Sequence, residues 1–117
     1  MLNLDTHILI HALTGELTLR EKKLLSKEAW SISAIVLWEI SKLVELQRVS
    51  LDLHDSEVLS VLSRVHIWPL TLDICSKTID FDSDPADELI AATSIIHRVP
   101  LLTRDKKILS SRLVPFA

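Results

Sequence analysis

Short apolar runs alternate with stretches of helical spacing along this chain. Met1 to Asp5 is an apolar run that ends in a carboxylate and reads as a strand. Thr6 to Leu13 has Ile8, Leu9 and Ala12 at helical spacing, and Gly15 is its natural stop. Thr18 to Ala29 reads as a second helix, amphipathic through Leu19, Leu24 and Leu25. Trp30 to Ser33 follows as a strand, then a long helix from Ala34 to Gln47. Asp52 or Asp55 caps the next helix, which carries Val58, Leu59, Leu62 and Val65. His66 to Trp68 is a third strand, Thr71 to Ile79 a helix, and Asp80 to Asp84 an acidic loop. Val99 to Thr103 is a fourth strand, Arg104 to Leu109 a helical turn, and Arg112 to Pro115 a candidate fifth strand. Strands alternating with helices imply a parallel sheet covered on both faces.

One helix stands out. Asp84 then Pro85 is a start signal, with a short oxygen-bearing cap followed by a ring whose missing N–H costs nothing at the first position. From Leu89 to Ile96 apolar residues cover almost the whole circumference, so the helix is expected to be buried on most sides. Asp87 nevertheless sits one turn inside its head. Complementing the helix dipole accounts for a carboxylate there, and so does a ligand role.

Composition narrows the function classes. The chain has 117 residues, enough for one domain, and a single glycine, so glycine-rich phosphate loops are excluded. Cys75 has no partner for a disulfide, no signal peptide is recognisable, and no apolar run approaches the roughly 20 residues of a membrane span. A cytosolic location without membrane attachment is expected. Net charge of −3 gives no basic field for nucleic acid, which disfavours a simple RNA-binding module but not an enzyme whose acids hold cations.

In parallel sheets ligands bind at the carboxyl ends of the strands. Asp5 closes the first strand and Asp105 lies just past the fourth, so both fall on one edge. Glu39 is embedded in the apolar stretch Val36-Leu37-Trp38-Glu39-Ile40, and Asp87 opens the helix feeding the fourth strand. Each acid alone has a structural explanation as a cap, a turn residue or a solvated helix position. Together, carboxylates from four segments would repel unless cations intervene.

Leu4-Asp5-Thr6, the stretch Ser33 to Ile40, Asp84-Pro85-Ala86-Asp87 with Ile90 to Thr93, and Leu102-Thr103-Arg104-Asp105 occur in order over the whole chain. In this set the chain resembles the PIN-domain ribonucleases, and within them the VapC-type toxins of bacterial toxin–antitoxin pairs. The resemblance implies an α/β three-layer sandwich with a central parallel sheet of five strands ordered 3-2-1-4-5. It also implies a metal-dependent endoribonuclease, with Asp5, Glu39, Asp87 and Asp105 as acids for Mg²⁺ or Mn²⁺ and Thr6, Ser33 and Thr103 lining or bracing the pocket. Asp84 supports them as the cap. The implied partners are an RNA substrate such as tRNA or ribosomal RNA, an antitoxin, and a second copy of the chain. Glu88 stands where relatives often carry arginine.

Other readings meet specific obstacles. Asp80, Asp82 and Asp84 imitate a calcium loop, but Pro85 and Ala91 occupy the positions of its glycine and bidentate glutamate. His7 and His11 have zinc-ligand spacing without the glutamate between them; His7 is expected near the pocket and His11 at the surface. A phosphate-receiver domain needs adjacent acids where Asp5 is followed by Thr6. A non-catalytic interaction module on the same fold should lack one of the acids. Trp30, Trp38 and Trp68 are expected in the core, and the surplus of apolar residues in Thr6 to Ala29 and Asp55 to Val65 suggests an unfilled groove.

Overall fold

The computed structural model describes residues 1–117. Strands β1 (Leu2–Leu4), β2 (Trp30–Ser33), β3 (His66–Trp68) and β4 (Leu101–Leu102) form a wholly parallel sheet in the order β3-β2-β1-β4. Between and after them run α1 (Thr6–Thr14), α2 (Leu19–Lys27), α3 (Ala34–Glu45), α4 (Ser56–Ser63), α5 (Leu72–Ser76), α6 (Pro85–His97) and α7 (Lys106–Leu109). Because β1 is central and covered on both faces, all three of its residues are buried. Its polar Asn3 is satisfied across the layers: the side-chain amide donates to Ser94 Oγ at 2.9 Å and Ile90 O at 3.3 Å. That ties α6 to the middle of the sheet.

α6 carries five consecutive buried residues, Ile90 to Ser94, as its all-round apolar pattern requires. Its start is also as expected, with Asp84 Oδ1 accepting from Asp87 N at 3.0 Å and Pro85 at the first position. Gly15 ends α1 at φ +77°, a left-handed conformation that only glycine adopts without cost, and its N–H returns to His11 O.

Three expectations change. The fifth strand is reduced to one bridge, Leu101 to Phe116, later than the predicted Arg112 to Pro115. Ser111 Oγ accepts from Leu113 N and Val114 N and donates to Asp80, which bends this segment away from an extended course. The helix predicted over Thr71 to Ile79 stops at Ser76, before the β-branched Thr78 and Ile79. Trp38 is 58 % exposed: on α3 the core positions are Val36 and Ile40, and residue 38 lies between them on the other side of the helix. Trp30 and Trp68 are partly buried, Trp68 stacked on His97 with ring centroids 3.9 Å apart.

Candidate active site

The carboxyl edge of the sheet gathers the acids. Asp5 N donates to Leu102 O at 3.1 Å, which holds the residue after β1 beside the end of β4. Asp5 is buried, and its two oxygens accept from Thr6 N at 2.8 Å and Thr103 Oγ1 at 2.7 Å. Thr103 Oγ1 in turn accepts from Asp105 N at 3.0 Å, so one threonine braces two of the acids. Thr6 Oγ1 donates to Glu39 Oε1 at 2.5 Å, linking α1 to α3. Ser83 Oγ donates to Asp87 Oδ2 at 2.6 Å. Ser33 is buried at the N-terminus of α3, accepting from Ile35 N at 3.4 Å, and braces that helix rather than facing the pocket.

Asp5, Glu39, Asp87 and Asp105 line one cavity of about 370 Å³, together with Asp84, His7, His11 and Arg104. Asp84 is thus both the cap of α6 and part of the lining. His11, expected at the surface, faces the same cavity, because it lies one helical turn beyond His7. Glu88 belongs to a different depression, beside Cys75 and Phe81.

Crowding of carboxylates shows in their proton affinities. Burial pushes Asp87 up to about 6, with Asp84, Asp5 and Asp105 adding repulsion, against the hydrogen bond from Ser83. Burial raises Asp5 as well, opposed by Thr103 and Thr6. It raises Glu39 too, opposed by Thr6 and reinforced by Asp84 and Asp5. These are conditions that a divalent cation relieves. Yet no three of the acids, histidines or cysteines converge closely enough to hold one ion as they stand. Each carboxylate is turned toward a local donor: Asp105 Oδ1 caps α7 through Lys107 N and Ile108 N, and Glu39 and Asp87 follow their hydroxyl partners. Both oxygens of Asp5 accept hydrogen bonds, whereas Glu39, Asp87 and Asp105 each use only one; Mg²⁺ needs only one or two direct carboxylates, with waters completing its shell. The residues therefore fit the ion.

Sequence reasoning missed the Glu21–Arg104 pair. Arg104 Nε and one terminal nitrogen clasp Glu21 at 2.8 and 2.6 Å, and that nitrogen also reaches Glu16 O at 3.2 Å. Arg104 holds the buried Glu21 carboxyl down at about 2. Glu21 simultaneously closes the capping box of α2 with Thr18. The Thr18-x-x-Glu21 spacing was legible as a helix start, but nothing local signals a partner 83 residues away.

A parallel α/β sheet with an acidic cavity at the carboxyl end of its central strands defines the class. The PIN domain family model matches residues 3–111, and the chain belongs to that family. No curated protein sequence matches it significantly. Among solved structures it is similar to a toxin–antitoxin complex from Klebsiella pneumoniae, at 22 % identity and TM-score 0.71, over 94 % of this chain and 91 % of the other. It is also similar to VapBC2 from Rickettsia felis, solved with a DNA fragment from its promoter: 20 % identity, TM-score 0.67, 100 % and 98 % covered. FitAcB from Neisseria gonorrhoeae follows at 23 %, TM-score 0.68, 100 % and 97 %. At such identities the likeness is one of fold.

Proposed function

We propose that this chain is a metal-dependent endoribonuclease and the toxin of a type II toxin–antitoxin pair. The observation that carries the catalytic reading is the shared cavity of Asp5, Glu39, Asp87 and Asp105, in which three carboxyls are pushed up by burial and by one another. Asp5 and Asp87, with Glu39 and Asp105, would hold Mg²⁺ or Mn²⁺, which when bound makes a water acidic and stabilises charge on phosphodiester oxygens. Thr103, Thr6 and Ser83 orient Asp5, Glu39 and Asp87 through their hydroxyls. The lining offers no hydroxyl or thiol nucleophile, so the nucleophile would be water, its oxygen bonding to phosphorus as the bond from phosphorus to the leaving ribose oxygen breaks.

RNA as the substrate is supported by family membership, and an antitoxin partner by neighbours solved as toxin–antitoxin complexes. Apolar crevices between α1, α3 and α4, lined by Leu13, Leu37, Ile40, Leu53 and Leu62, offer a peptide a seat. A second copy of the chain is the other proposed partner, and the cytosol the proposed location; no helix is long and apolar enough to cross a membrane.

The test is cleavage of a structured RNA in Mn²⁺, with and without chelator, by wild type and Asp87→Asn purified in parallel. Chelator-sensitive cutting that drops at least a hundredfold in the variant is expected. Undiminished cutting by Asp87→Asn would sink the mechanism.

A further inference from the structure

We propose that the part of the cavity wall made by His7, His11 and Arg104 seats the phosphate of the nucleotide adjoining the cut. The inference rests on the ribonuclease reading above and names its substrate contacts. All other lining residues are carboxylates, which repel a phosphodiester, so these three hold the only N–H donors that the lining side chains offer it. Glu88 contributes to a separate depression and brings no cation here.

The three are arranged for such a role. His7 and His11 lie four residues apart on α1, one turn apart on the same face. His11 Nδ1 is buried without a hydrogen-bond partner; Glu16 Oε2, the anion paired with it, is 3.6 Å away, too far for a good bond. Left loose among acids, an arginine would pair with Asp87 or Asp105 and compete with the cation. Glu21 prevents this by occupying Nε and one terminal nitrogen, and leaves the other terminal nitrogen for a ligand. A guanidinium held this way is a fixed donor rather than a mobile counter-ion. The carboxylates thus serve the cation, and α1 with Arg104 serves the backbone.

The experiment measures steady-state cleavage of a fluorescent single-stranded RNA in Mn²⁺, together with Mn²⁺ affinity by calorimetry. His7→Ala/His11→Ala keeps good helix formers on partly exposed positions of α1. It is expected to raise KM about tenfold, the scale of hydrogen bonds to a charged group, with kcat within twofold and Mn²⁺ affinity unchanged. Glu21→Gln/Arg104→Gln, which leaves no buried unpaired charge, is expected to lower the slope of log affinity against log salt by about 0.7. Unchanged KM and unchanged salt slope overturn the proposal. So does a loss of Mn²⁺ affinity, or a fall in kcat at constant KM, in the histidine variant. Wild type that binds Mn²⁺ but cuts no RNA overturns the ribonuclease reading itself, and this one with it.

Discussion

Asp87 keeps its proton to about pH 6 in the folded protein, against 3.8 for a free side chain. Between those values the unfolded chain has released a proton that the folded one retains, so rising pH favours unfolding, and the full cost is present above about 6. The half-exposed position screens the effect, leaving a cost on the order of 1 kcal/mol. Asp87→Asn in chelator is therefore expected to melt above wild type at pH 7.5 and level with it below pH 4. Saturating Mn²⁺ reverses the order at pH 7.5, since ligand at about 100 times its Kd adds about 2.7 kcal/mol only to a protein that binds it. Thermal melts at the two pH values check both statements; Asp5 is a less clean probe because it also accepts from Thr6 and Thr103. Asp84 separates from Asp87 in activity. Asparagine caps as well as aspartate, so Asp84→Asn should keep stability and lose activity only in part, whereas Asp87→Asn loses it. Equal losses in cleavage assays would make Asp84 a ligand as well as a cap.

At the scale of elements, α2 owes its place to more than its apolar face. Thr18 accepts from Glu21 N at 3.2 Å, Glu21 returns to Thr18 N at 2.8 Å, and the same carboxylate is clasped by Arg104 beyond β4. Thr18→Ala should cost about 1 kcal/mol as a lost cap, read from the urea midpoint. If the capping box also aims Glu21 at Arg104, the RNA salt slope falls with it, which a cap acting on the helix alone would not change. α6 is the other organising element. Its buried Ala91 and Ala92 leave no room for larger side chains, and Ala91→Leu is expected to destabilise by about 1 to 3 kcal/mol through overpacking.

For the molecule as a whole, exposed Trp38, Leu46 and Leu59 accompany the apolar crevices beside α3 and α4. Exposed apolar surface favours self-association, and twofold pairing is its commonest closed form. A dimer by light scattering at tens of micromolar is expected. A monomer there would leave the face to another partner.

Strand and helix order, the start of α6 at Asp84-Pro85 and the glycine stop of α1 were all legible in the sequence. Each depends on local chemistry: apolar periodicity, a ring that lacks an N–H, a backbone conformation only glycine tolerates. Parallel strands alone put Asp5 and Asp105 on one edge; that their strands are neighbours was implied by the 3-2-1-4-5 order of the family the chain resembles, and the β1–β4 pairing bears that out. What tertiary structure decided was everything set by partners distant in the chain. Arg104 found Glu21, Asn3 found Ser94, Asp80 found Ser111 and curtailed the fifth strand, and Trp38 was left outside. The same holds for how the carboxylates point. Residue type brings an acid to the edge of the sheet, but packing and the nearest hydroxyl decide which oxygen stays free to meet a cation.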